Sequence, residues 1–499
     1  MEKLKDQTDD LLDDTKNNND SSTAPKNKRD LLITITLVTG VFVGASSSGM
    51  AIGYSAVLLP QLKLNSSAIP IDDHMGSWIA SILTGSMPIG SVISAIIIDK
   101  IGRVRTFKIQ SVVVSIAWII VACAQSYEIM LLGRFTAGVA SGIGVVVGQV
   151  YFTEVCRPNI RGILSAGPFI SYSIGILIVY ALGAVLPWRL VAGLSTAPGI
   201  IAFIIYSLLP ESHIWLVKQN RTEEAIKSLT WFRANNVEET QNEIKQIISR
   251  FEHQKTEERI NYRIFFEPQV LKPLCITIVL NILQTLSGVY IVVFYAIDII
   301  SNIGIEDLEI NDMLVALITA LVRMLFTVVF CVLLVYMSRR SFTLISGVSG
   351  TVFSFILGTC LYFNIKNYFI PVCLVIYVAA TVGLLLLPGI MLGELFPIKA
   401  RGVAGGLSHT IYSISIFGVA KAYPFFKENL KIYGIFWLFS LSSFLLSVIA
   451  FLVLPETKSS TLLEIEDYFL GKNLFWMNRK RKTISKENAA QCDKLNSSL

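Results

Sequence analysis

Apolar residues run along this chain in long, nearly unbroken blocks separated by short polar punctuation. A block of about 20 such residues is long enough to cross a hydrocarbon core of about 30 Å as a helix. Six blocks fall in the first half, at residues 32–57, 77–98, 107–124, 129–152, 163–186 and 189–209. Six more follow, at 273–299, 313–336, 342–363, 369–393, 407–425 and 432–454. The pattern predicts an all-α membrane protein with twelve transmembrane helices. Composition agrees: of 499 residues, 53% are hydrophobic and only 16% charged, and the mean hydropathy is +0.61, too apolar for a soluble globular chain.

The polar punctuation sets the orientation. Basic residues gather at Lys100, Arg103, Arg105 and Lys108, at Arg157 and Arg161, at Arg339 and Arg340, and at Lys399 and Arg401. All four loops share one side, which the positive-inside bias makes cytoplasmic, with both termini on that side; Asp72 and Asp73 then fall outside. The net charge of +6 is thus a topology signal and gives no reason to expect a nucleic-acid partner. Residues 1–30 are polar, carry no cleavable signal pattern and are expected to form a disordered cytoplasmic tail. Of the sequons, Asn65 alone falls in an outside loop, making it the candidate glycan acceptor, whereas Asn19, Asn220 and Asn496 fall inside. Residues 211–270 form a charged linker whose periodicity predicts short amphipathic cytoplasmic helices, and 457–499 form a second cytoplasmic tail with a lipid-facing basic cluster at 478–482.

An internal repeat divides the spans. Glu154 stands seven residues before Arg161-Gly162 in "EVCRPNIRG", and Glu394 seven before Arg401-Gly402 in "ELFPIKARG", an offset of 240. "PES" at 210–212 returns as "PET" at 455–457, and Arg103 of "DKIGRVR" is echoed by Arg339 of "SRR". Two pseudo-symmetric six-helix halves, 31–210 and 271–456, follow, and such repeats place a substrate site at their interface near mid-membrane. In the seventh block, "NILQTLSGVYIVVFYAIDII" (281–300), Asn281, Gln284, Thr285 and Ser287 interrupt the apolar run. They are either polar glue between helices or the lining of that site.

The motifs "DKIGR" (99–103), "GRFTAGVASG" (133–142), "PESHIWL" (210–216), "QTLSG" with "FY" (284–295), "GELFPIKARG" (393–402) and "PETKSSTLLEIE" (455–466) carry a resemblance to the sugar porter family of the major facilitator superfamily, over roughly 31–470. "GYSAVLLPQL" (53–62) looks most like insect facilitated trehalose and hexose transporters. The resemblance implies an inner charge gate of Asp99, Arg103, Glu154, Arg161 and Glu211 in the first half and Arg339, Glu394, Arg401 and Glu456 in the second, pairing across the halves when the inner side closes. "VYMSRR" lacks the family's acid and glycine, with Val335 and Ser338 in their places, so a weaker or asymmetric inner lock is expected.

By the same resemblance Gln284, Thr285, Ser287 and Tyr290 line a sugar site, with Phe169, Tyr412 and Ser413 at further contact positions and Phe294 and Tyr295 as an outer gate. Several of these depart from the family: Thr285 and Tyr290 replace amides, Phe169 replaces a Gln, and Gly389 and Ser413 stand where relatives carry Trp. The ligand is therefore an ordinary sugar, an unusual one, a polyol or a small organic anion. Ser55 follows Gly-Tyr where proton-coupled relatives carry an acid, which favours facilitated diffusion. Arg323 lies within the eighth block, where relatives more often have a neutral amide; it pairs with Asp298, meets a substrate carboxylate or phosphate, or snorkels outward.

Other classes fit less well. A channel does not need two repeated charge gates, and the four histidines (His74, His213, His253, His409) form no catalytic or metal-ligand spacing. The seven cysteines read as packing residues, so neither metal nor cofactor is expected. The expected protein is a monomeric, multi-pass facilitative sugar transporter of the plasma membrane and not an enzyme. The rival is a transporter-like nutrient sensor.

Overall fold

The computed structural model describes residues 26–64, 69–156, 158–233, 240–245, 247–249, 267–302, 312–365, 369–396, 401–456 and 468–469. Asn65, the basic cluster at 478–482 and nearly all of both tails lie outside these residues.

The first half comprises α1 (Lys26–Lys63), α2 (Asp73–Ile101), α3 (Arg103–Ala122), α4 (Tyr127–Val155), α5 (Pro158–Gly183), and a broken span made of α6 (Trp188–Leu194) and α7 (Ala197–Leu208). Two short helices of the linker follow, α8 (His213–Lys218) and α9 (Thr222–Phe232). The second half holds α10 (Pro268–Leu286), the fragments α11 (Ile291–Phe294) and α12 (Ala296–Asn302), α13 (Asp312–Tyr336), α14 (Arg339–Tyr362), α15 (Phe369–Glu394) and α16 (Arg401–Val453). The last is two limbs joined at Lys431, whose φ of 56° and ψ of 177° break the helix. Ten helical stretches are long and apolar enough to cross a membrane by themselves. With α16 counted as two limbs and the apolar part of α5, Gly167–Gly183, added, the described residues accord with the twelve expected crossings.

Several helices overrun their apolar blocks. The first was expected over 32–57 and runs from Lys26 to Lys63, because hydropathy marks the thickness of the bilayer while backbone hydrogen bonding continues into the polar flanks. Helix starts are set by side chains that take up free backbone N–H groups: the Asp72 carboxylate accepts from Met75 N (2.6 Å) and Ser126 Oγ from Ile129 N (3.4 Å). Within the first half, α2 and α4 approach until a Cβ on Gly138 or Gly142 would lie 2.0 Å from the carbonyl oxygen of Leu83 or Met87. Large apolar side chains such as Ile96, Ile119, Ile204, Val332, Phe355 and Phe444 face outward, as expected of a lipid-facing surface.

The core is divided unevenly. One buried cluster joins the halves: Met50, Tyr54 and Leu58 of α1 and Tyr180 of α5 pack with residues of α11 and α12 and with Tyr412, Ile416 and Tyr423 of α16. It lies toward the end of the bundle away from the linker helices. Toward the linker end the clusters are separate. Ile98, Phe107, Tyr151, Tyr206 and Phe232 pack within the first half and linker, while Leu280, Leu384, Leu446 and Leu454 pack in the second, where Phe169 of α5 reaches across to them.

Candidate functional site

The seventh block was expected to be one helix over 273–299, and the structure breaks it. Gly288 has a φ of +84°, which an L side chain resists, and a Cβ there would lie 2.4 Å from Phe439 Cε2. Breaking a helix frees carbonyls that need donors in an apolar setting. Tyr377 OH donates to Ser287 O. Arg323 Nη2 donates to Val289 O at 3.0 Å, and Tyr180 OH to Val293 O at 2.7 Å. The third of these bonds crosses between the halves, from α5 to α11.

The polar face of α10 meets α16. Asn281 Nδ2 donates to Ser408 Oγ (3.3 Å), Gln284 Nε2 to Tyr412 OH (3.4 Å), and Tyr412 OH to Tyr290 OH (3.0 Å). Each amide is thereby held by its nitrogen, and its oxygen is left over. Asn281 Oδ1, Gln284 Oε1 and His409 Nε2 are buried without a partner among the described residues. An unmet buried polar atom costs about 1–3 kcal/mol, so these acceptors suit a ligand rich in hydroxyl donors.

The expected site residues divide. Thr285 Oγ1 donates to Asn281 O (2.5 Å), Ser287 Oγ to Gln284 O (2.6 Å) and Ser413 Oγ to His409 O (3.0 Å). These three hydroxyl protons are committed to their own helices, whereas Gln284, Tyr290 and Tyr412 form one hydrogen-bonded chain. Phe169 is packed against the second half: a Cβ on Gly389 would stand 2.8 Å from Phe169 Cζ. The departures at 169 and 389 are thus one complementary exchange of volume across the interface. Ser408, His409 and Tyr180 were missed as site residues, and Asn281 was weighed with its polar run without being named as a sugar contact. Asn281 stood in the quoted polar run, while the α16 partners needed the packing of two helices distant in sequence.

At the end away from the linker, Phe294 is fully buried, and Tyr295 stacks on Tyr423 (4.1 Å between centroids) while donating to Ala420 O (2.9 Å). Lys421 ties α16 to α2 through Ser77 Oγ (2.8 Å) and the face of Trp78 (4.3 Å). The expected pair of Arg323 with Asp298 does not form. Asp298 takes Lys427 Nζ at 2.7 Å and Tyr423 OH at 2.8 Å, near the membrane edge, while Arg323 lies at mid-helix and reaches the break. Nor does Arg323 snorkel, since it is 3% exposed.

At the linker end, charges gather within each half. Arg103 Nη2 meets Glu154 Oε1 at 2.6 Å and its Nη1 meets Asp99 Oδ1 at 3.1 Å. The Glu211 carboxylate accepts from Arg103 N (2.8 Å) and Val104 N (3.1 Å), closing the start of α3. The second half repeats the device: Glu456 accepts from Arg339 N (3.2 Å) and Arg340 N (3.4 Å) at the start of α14. Ser338, in place of the expected glycine, caps α14 by accepting from Ser341 N (3.2 Å) with an ordinary φ of −73°. The side chains of Arg161, Glu394 and Arg401 lie outside the described ones. Among the described residues the ion pairs at this end lie within the first half and linker. Linker helix α8 docks on the first half through Trp215 Nε1 and Asp99 O (2.9 Å), and burial holds the His213 imidazole down at a pKa of about 4.

A second buried guanidinium was quoted in a motif but not recognised as a structural centre. Arg134, 1% exposed, donates to Ala51 O (2.6 Å), Ser55 Oγ (2.5 Å) and Ile79 O (3.1 Å), tying α4 to α1 and α2. An ionisable residue inside an apolar block was the available signal.

A bundle of apolar helices in two halves, joined at one end and holding unsatisfied polar groups in its interior, fits a membrane transporter. The profile described as "Sugar (and other) transporter" matches residues 16–469, and the chain belongs to this family of major facilitator sugar porters. It is accordingly not an enzyme. It is 28% identical over 501 residues to the facilitated trehalose transporter Tret1 of Bombyx mori, covering 97% of this chain and 96% of that protein. Identity is also 28% over 472 residues to mouse (Mus musculus) solute carrier family 2, facilitated glucose transporter member 6, covering 89% and 92%. Against Tret1 of Drosophila willistoni it is 27% over 443 residues, and the match spans 87% of this chain but only 50% of that longer protein. The fold matches the E. coli xylose transporter XylE in a partially occluded inward-open conformation, with a TM-score of 0.71 at 18% identity over 87% of this chain and 100% of that one.

Proposed function

We propose that the protein carries a sugar across the plasma membrane by facilitated diffusion, working as a monomeric uniporter that exposes one site alternately to either side. The observation that carries this reading is the chain from Gln284 through Tyr412 to Tyr290, with orphaned acceptors beside it, set at a helix break between two halves. Trehalose and glucose appear in the names of relatives and mark the solute class. Asn281 and Gln284 accept sugar hydroxyls, Tyr290 and Tyr412 supply hydroxyls and flat faces, and Phe169 of the first half, packed on Gly389 of the second, bounds the site. Thr285, Ser287 and Ser413 shape the helices that hold it.

The halves 31–210 and 271–456 rock as two bodies, with linker 211–270 and both termini cytoplasmic. Phe294, Tyr295 and the bond from Tyr180 to Val293 form the outer gate; the charges at Asp99, Arg103, Glu154, Arg161, Glu211, Arg339, Glu394, Arg401 and Glu456 form the inner one. Uniport is favoured because Ser55, a neutral group, meets the buried Arg134 guanidinium, leaving no titratable acid at that place to couple a proton. The test is uptake of labelled hexoses and trehalose into proteoliposomes with the membrane voltage clamped at zero. Saturable uptake that ignores a proton gradient and falls at least tenfold in Gln284→Ala is expected; uptake that needs the gradient would overturn uniport.

A further inference from the structure

We propose that the solute carries an anionic group, a carboxylate or a phosphate, and that Arg323 binds it. The proposal rests on the sugar-transport reading of the same site and narrows its substrate class to charged sugars.

Arg323 is the twelfth residue of the 25-residue α13, so it lies near the middle of the membrane, and it is 3% exposed. A guanidinium carries five N–H donors, and among the described contacts one of them is used, to Val289 O at 3.0 Å. No carboxylate lies within ion-pair distance of it among the described residues. Its ionisable neighbours are the phenols of Tyr180, Tyr290 and Tyr377. Those of Tyr180 and Tyr377 donate their own protons to Val293 O and Ser287 O. A permanent positive charge is therefore held at mid-membrane with no anion beside it among the described residues, a costly arrangement that a transported anion relieves.

The position is the interface itself. One turn further along α13, Thr327 Oγ1 meets Ser173 Oγ of α5 at 3.0 Å, so this face of α13 looks at the first half. Val289, which Arg323 holds, is five residues from Gln284, on the far side of the break at Gly288. Tyr290 links the two by its contact to Tyr412 and through it to Gln284. One sugar molecule can thus offer hydroxyl protons to Gln284 Oε1 and Asn281 Oδ1 and an anionic oxygen to Arg323.

The experiment uses the full chain in proteoliposomes with glucose, trehalose, glucuronate and glucose 6-phosphate as probes, and an imposed potassium diffusion potential. We expect glucuronate or glucose 6-phosphate, the two arms that separate carboxylate from phosphate, to be taken up at least tenfold better than glucose and at a rate that follows the voltage. Arg323→Gln is expected to abolish that preference and the voltage dependence, and Arg323→Lys to keep part of both. Wild-type uptake of neutral sugar that is independent of voltage and uncompeted by either anion overturns the proposal and leaves the sugar reading intact. If the vesicles take up no solute, the transport reading fails, and thermal stabilisation of the wild-type protein decides: stabilisation by an anion and not by glucose supports the anion site, and stabilisation by neither anion overturns it.

Discussion

Arg134 and Arg323 are both guanidiniums buried inside apolar spans, and they are built to opposite ends. Arg134 sits within one half with three acceptors on two neighbouring helices, so its charge is spread over fixed dipoles and nothing further is needed. Arg323 sits between the halves with one acceptor, at a break in the backbone. Burial alone does not distinguish them; the number and ownership of acceptors does. A cation satisfied inside one rigid body holds that body together, whereas one left open at a moving interface is available to whatever enters.

The comparison can be broken most directly at Arg134. Arg134→Met deletes three charge-assisted hydrogen bonds that tie α4 to α1 and α2, and loss of about 3–5 kcal/mol is expected, seen as failure to run as a single peak on size exclusion in detergent. Next is a buried group with no charge to place. His213, with a pKa held at about 4 against 6.5 unfolded, stays neutral when folded, so the unfolded chain binds the extra proton between those values. Stability is then complete above pH 6.5 and lost as pH falls toward 4, by up to about 3 kcal/mol, and His213→Gln should flatten that part of a melting-versus-pH curve.

Arg323→Gln removes one hydrogen bond and should cost about 1–3 kcal/mol while the protein stays monodisperse. Collapse equal to that of Arg134→Met would make Arg323 a structural residue and end the contrast. The smallest effect is expected from Tyr180→Phe, which deletes the bond to Val293 O and frees the outer gate by about 0.5–1.5 kcal/mol. Spin-label distances between α5 and α11 should show a larger open fraction; an unchanged distribution would show that this bond carries no gating.

Periodicity and hydropathy were enough for the helical fold because a bilayer leaves the backbone few alternatives. The repeat of Glu211 and Glu456 was legible too, and the structure shows why it exists: each carboxylate closes the start of the third helix of its own half. What pattern could not reveal was how polar groups share partners. Thr285, Ser287 and Ser413 look like site hydroxyls in sequence and turn inward to their own carbonyls, a choice made by local helix geometry. Asp298 and Arg323 look like a pair in an apolar block, yet Lys427, 129 residues away in sequence from Asp298, is the nearer cation.

The fit of Phe169 against Gly389 has a consequence for how such a transporter can change. A smaller residue at 169 alone opens a void, and an aromatic residue at 389 alone collides with the ring already there. Neither step is neutral by itself, so a change at one position, each in its own half, calls for a matching change at the other. A route away from this arrangement must exchange both or first pass through a less well packed protein, a two-position barrier to remodelling the wall between the halves.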